Sequence, residues 1–125
     1  MVPPPLSQLA GAYVGSTSGV SLQRLVLNAD GSGTFDDIVY DARGTQLTRY
    51  RAKVRSRSGW RIDVELTPVE AGLKSLRLRG EADFFLMKLS ISASERHRSH
   101  KLTLFREGTF QELLDFARNY SESEK

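Results

Sequence analysis

The stretch RYRAKVRSRSGWR, residues 49–61, carries a cation at every second position from Arg49 to Arg57, and no carboxylate lies between Asp41 and Asp63. Side chains alternate faces along a strand, so Arg49, Arg51, Lys53, Arg55 and Arg57 share one face while Tyr50, Ala52 and Val54 share the other. Such a stripe suits either an anionic ligand or plain contact with water, and the register of the next strand decides how many cations are free. A three-residue loop at Arg57-Ser58-Gly59 keeps both apolar sets inside, setting Val54 against Ile62 and Ala52 against Val64. Outside, Lys53 then meets Asp63 and Arg51 meets Glu65. Arg49, Arg55, Arg57 and Arg61 are left as the candidate anion-binding set, with Arg55 opposite Arg61. No aromatic residue interleaves with the cations on their own face, which argues against a single-stranded nucleic-acid partner and favours a solvated strand face.

Other chemistry is sparser. Asn28, Asp30, Ser32 and Asp36 have oxygen-ligand spacing with Gly33 at the sixth position, but Val39 stands where a calcium loop needs its bidentate Glu, so a hairpin turn is expected. His97 and His100 lie among Arg96, Arg98 and Lys101, which repel a metal ion. Asp36 and Asp37 are adjacent on a strand and point to opposite faces, a poor arrangement for paired acid–base work. There is no cysteine, hence no thiolate site. The chain therefore reads as non-enzymatic, with no catalytic residue, no metal and no cofactor.

The elements that would position these groups are strands. Apolar alternation recurs between glycine-bearing turns near 11–17, 21–28, 33–40, 46–56, 60–68, 74–80, 84–92 and 101–106. Short links imply antiparallel neighbours, so the expected fold is mainly β, an eight-stranded up-and-down meander closing into a small barrel, round or else flattened or cracked. Residues 109–120 break the pattern: Phe110, Leu113, Leu114, Ala117 and Tyr120 recur at helical spacing behind a Thr109/Glu112 capping box, which predicts one helix packed outside. Phe84 and Leu86, pushed to the outer face, are its natural seat. The organisation is a Pro-rich lead (1–8), a barrel domain with its helix (9–120) and a polar tail (121–125). At 125 residues, 39% hydrophobic and 26% charged, the chain suits one globular domain, and its +3 charge favours anionic surfaces only weakly. No apolar run is long enough for a transmembrane helix.

The first-strand GAY at 11–13, the LVLNADGSGTF hairpin and the last-strand LTLFRE together resemble the small lipocalin-like, or calycin, barrels. The resemblance implies a structural pair at the closed end, with Arg106 packed over Tyr13, where that family usually has Trp. It also implies a binding module whose interior holds an apolar small molecule or lipid chain. The lining would come from Tyr50, Val54, Trp60, Ile62, Val64, Leu76, Leu78, Phe85, Met87 and Leu89. The alternative is a protein-interaction, inhibitor or assembly module of the bacterial envelope; anion or nucleic-acid binding through the arginine face comes third. The Pro-rich lead favours a periplasmic or outer-membrane lipoprotein over a cytoplasmic protein.

Overall fold

A computed structural model describes residues 5–16, 21–83, 86–93 and 96–107. A single turn of helix, α1 (Leu6–Leu9), precedes eight strands: β1 (Gly11–Gly15), β2 (Ser21–Leu27), β3 (Ser32–Asp41), β4 (Gly44–Ser58), β5 (Arg61–Pro68), β6 (Leu76–Ala82), β7 (Leu86–Ala93) and β8 (Arg96–Arg106). Each strand pairs antiparallel with the next, and β8 returns to β1 through Tyr13–Arg106 and Val14–Phe105, so the sheet closes in sequence order with no free edge. The described helix is N-terminal, within what the sequence suggested was only a lead. The C-terminal helix expected over 109–120 lies outside the described residues.

Alternation carries the fold. Leu25, Leu27, Phe35, Ala52, Val64, Leu66, Leu78, Met87, Leu102 and Leu104 all point inward and are buried. Burying side chains of this kind is worth about 1.5–3 kcal/mol each, which sets the strand parity around the barrel. Closure needs sharp corners. A Cβ on Gly33 would stand 1.8 Å from the Val26 carbonyl oxygen, and one on Gly80 would stand 1.9 Å from that of Lys88, so at these two positions the neighbouring backbone occupies the side-chain space.

The β4–β5 hairpin departs from expectation. Its turn has two residues, Gly59 and Trp60, with Ser58 opposite Arg61 and Gly59 at φ 60°. Such a turn alone would put the apolar residues of one strand outside. An extra residue, Arg55, is inserted between Val54 and Ser56, and below it the inward pairs are Val54–Val64 and Ala52–Leu66. The expected Val54–Ile62 and Ala52–Val64 pairs are therefore wrong by one step, although the buried faces are right: a bulge and a short turn satisfy the same parity as a longer loop.

Strand direction places the β2–β3, β4–β5 and β6–β7 links at the same end as α1, and the other four links at the opposite end. At the α1 end, Leu9 is fully buried in the core. The Tyr13 hydroxyl donates to the Leu9 carbonyl at 2.8 Å, and the Arg106 guanidinium donates to the carbonyls of Ala10 at 2.7 Å and Gln8 at 3.2 Å. First strand, last strand and leading helix are thereby tied together.

Candidate functional site

The barrel interior has two chemically distinct halves. Toward α1 it is filled: Tyr13, Leu25, Phe35, Met87 and Leu104 have no exposed surface. Phe35 and Tyr50 meet edge-on-tilted, with ring centroids 6.1 Å apart and planes at 54°. Beyond Tyr50 the β2–β4 wall turns polar. Continuing the inward parity of Leu25, Phe35 and Tyr50 by one step brings in Gln23, Asp37 and Thr48, which are successive cross-strand partners. Gln23 is buried at 3% exposure and its amide donates to Asp37 Oδ1 at 2.8 Å. The inner face of β5–β7 stays apolar, with Leu66 buried and Leu76 and Ile91 packed against the core. Burial raises the Tyr50 phenol pKa above its ordinary value, and the negative charge of Asp37 adds to that rise.

The inferred lining residues divide accordingly. Tyr50, Ile62, Val64, Leu78, Met87 and Leu89 are buried in the core, while Val54 and Leu76 are half-buried against it. Trp60 is in the β4–β5 turn, outside the core cluster, beside Glu81, Asp83, Leu86 and Lys88 at the α1 end. The sequence puts it at the start of a strand only if the longer Arg57-Ser58-Gly59 loop forms, and the shorter turn takes it up instead. Phe85, like Phe84, lies outside the described residues. Gln23 and Asp37 were missed, although the signal was present: in LQRLVL the parity of the two inner leucines carries Gln23 inside.

The arginine stripe is also redistributed. Arg49 grips Asp36 of β3 with two hydrogen bonds, at 2.8 and 3.1 Å, and Arg55 grips Glu65 of β5 likewise, at 2.8 and 3.1 Å. These bonds raise both guanidinium pKa values, and the bond from Arg55 holds the Glu65 carboxyl below its usual range. Neither cation is unmatched as expected, and Arg55 is not set against Arg61. Arg57, beyond the bulge, stands opposite buried Ile62 and donates to the Gly59 carbonyl at 3.3 Å. Asp63, expected to pair with Lys53, instead receives Arg77 at 3.0 Å and Arg79 at 3.6 Å from β6. Of the candidate anion-binding set, only Arg61 stays on the outer face with no ion pair among the described residues.

The 28–33 turn satisfies itself. Asp30 Oδ1 accepts from the Ser32 amide at 2.9 Å and the Ser32 hydroxyl at 2.6 Å, and these bonds lower its pKa. Asp36 is committed to Arg49. Among the described residues no three potential ligands gather as a metal site, and no helix is long and apolar enough to cross a membrane. The side chains of His97 and His100 lie outside the description.

Compared with known proteins, the chain matches no family model, no curated protein and no solved structure. What it shares with the calycin-type barrels is the coarse architecture, eight antiparallel strands closed in meander order.

Proposed function

We propose that this protein is a non-enzymatic binding module that takes one small apolar or amphipathic molecule in the half of the barrel beyond Tyr50. The observation that carries this reading is the Gln23–Asp37 pair, a buried amide and a carboxylate on the inner face of β2–β3 in a barrel whose β5–β7 inner face, with Leu66, Leu76 and Ile91, is apolar. An occupant with an apolar body and one hydrogen-bonding group matches both walls, and such a mixture of broad apolar lining with few polar anchors is usual for ligand sites. The filled α1 half limits the occupant to a short molecule, since a barrel of eight strands either packs its interior or leaves room for one small ligand. The test is native mass spectrometry together with displacement of a fluorescent fatty acid, repeated on Gln23→Leu and Asp37→Asn. Retained small molecules, and displacement that weakens about tenfold in the variants, support the reading; protein that is empty and inert in both assays sinks it.

A polypeptide partner of envelope type is the second reading. It is favoured by Tyr40, Leu47, Val69 and Leu73, large apolar side chains 43–55% exposed, all of them in β3, β4 and the β5–β6 link toward the end opposite α1. Here the barrel acts as scaffold, and a pull-down retains a polypeptide that Leu47→Ser with Val69→Ser releases. Both readings suit an envelope location, which a lipidated or cleaved N-terminus found by mass spectrometry of the native protein would support and an unprocessed cytoplasmic protein would refute.

A further inference from the structure

The redistribution of ion pairs leaves a different cationic region from the one the sequence nominates. On the outer face of β5–β8, register sets Arg61 against Glu81, Glu81 against Lys88, Arg79 against Ser90, and Ser90 against Lys101. Arg61, Lys88 and Lys101 are exposed and make no ion pair among the described residues, and Arg79 reaches Asp63 only at 3.6 Å. Asp63 is already answered by Arg77 at 3.0 Å from beside the region. Four cations thus surround one uncommitted carboxylate, Glu81.

The surface there is also concave. Two depressions, of about 500 and about 300 Å³, share Arg79, Gly80 and Glu81 as their common boundary. Ser56, Ser58 and Arg61 line the first, and Ser90, Lys101 and Thr103 line the second. The bulge at Arg55 turns Ser56 and Ser58 onto this face, because beyond it they pair with outward-facing Asp63 and Arg61. A third depression of about 350 Å³ continues from Glu81 and Lys88 to Trp60.

We propose that this outer groove binds an anionic saccharide, a hydroxylated chain bearing sulfate or phosphate groups. The four cations meet the charged esters. The serine and threonine hydroxyls with Glu81 exchange hydrogen bonds with sugar hydroxyls, which a carboxylate accepts and a phosphodiester backbone does not offer in number. Among the described residues the two depressions that hold Arg79 and Lys101 have no aromatic lining, and Trp60 alone stands at the far end of the third, so the row of stacking platforms that a single-stranded nucleic acid uses is not present there. The inference is independent of the interior site, since it uses the opposite face of the sheet.

The experiment is titration with a heparin octasaccharide, followed by amide chemical shifts and calorimetry at 20 and 150 mM NaCl. A neutral dextran of equal length and a single-stranded oligonucleotide of equal charge serve as comparisons. Binding of heparin alone, weaker at the higher salt and about tenfold or more weaker in Arg61→Gln with Lys88→Gln, is the expected result. The control variant is Arg51→Gln with Lys53→Gln, two exposed cations on the same outer surface but outside the groove; it should bind within about twofold of the parent. Circular dichroism confirms that both variants fold. The proposal is overturned by absence of heparin binding, by equal loss in the control variant, or by oligonucleotide binding as tight as heparin.

Discussion

The two ends of this barrel solve the same problem with different chemistry. At the α1 end, backbone carbonyls freed where the chain leaves the helix are taken up by Tyr13 and Arg106, and the side chains packed inside around Leu9 are apolar. At the other end the inner wall carries an amide hydrogen-bonded to a carboxylate, and β3, β4 and the β5–β6 link expose apolar groups. One end is built for stability and the other tolerates polar groups at a cost of uniform packing. A buried hydrogen-bonded pair contributes little net stability over an apolar replacement, whereas a cavity in the packed end is paid for in full.

The widest gap between the ends should appear on truncation. Tyr13→Ala removes a fully buried ring and its hydroxyl donor, and should cost about 3–5 kcal/mol in a urea melt. Gln23→Leu at the other end keeps the volume and loses the hydrogen bond to Asp37, with an expected cost of about 1 kcal/mol. Equal costs would erase the distinction between a structural and a tolerant end. Between these lies Arg106→Gln, which removes two charge-assisted bonds to Gln8 and Ala10 and should cost about 1.5–3 kcal/mol, with faster amide exchange in residues 6–10 as its local signature.

Alkaline pH sharpens the same comparison. Burial raises the Tyr13 phenol pKa, which the nearby Arg106 charge only partly offsets. The unfolded phenol ionises near the ordinary value of about 10 and the folded one later, so between those values the unfolded chain holds fewer protons and stability falls as pH rises. Tyr50 shifts in the same direction for the same leading reason, burial. Stability measured from pH 9 to pH 11 should therefore decline, and Tyr13→Phe should flatten the slope by the share that Tyr13 contributes. An unchanged slope would assign the effect to other groups.

How much of this was legible beforehand follows from which forces are local. Strand parity was legible because Leu25, Phe35, Val64 and Met87 recur at period two, and burial enforces that period wherever the strands pair. The closing contact of Tyr13 with the last strand was placed by resemblance to a family, and the register now sets Tyr13 beside Arg106. The partners of the arginines were not legible. A two-residue turn with a bulge and a three-residue loop bury the same residues but shift every outer pair, so Arg55 reaches Glu65 instead of facing Arg61. Arg49 found Asp36 on the preceding strand, a pairing that only the β3–β4 register reveals. Nor was α1, because four residues after a run of prolines carry no helical periodicity.

The smallest expected effect tests which feature sets the β4–β5 register. If the Arg55–Glu65 ion pair fixed the bulge, Arg55→Gln would let the hairpin slip to the register in which Val54 faces Ile62. The bulge has a stronger cause, since the Gly59–Trp60 turn and the buried faces of both strands already conflict by one residue without it. Exposed ion pairs are weak beside such burial. Arg55→Gln should therefore leave the melting temperature nearly unchanged and preserve the cross-strand contacts between Val54 and Val64 in a nuclear Overhauser spectrum. Insertion of one glycine after Gly59 is the complementary change: it evens the number of residues between Val54 and Val64, so a two-residue Gly-Gly turn closes with Ser58 opposite Trp60, removes the conflict, and should abolish the bulge while both faces stay as they are. New contacts between Val54 and Ile62 in Arg55→Gln alone would show that the charge, not the turn, holds the strand in place.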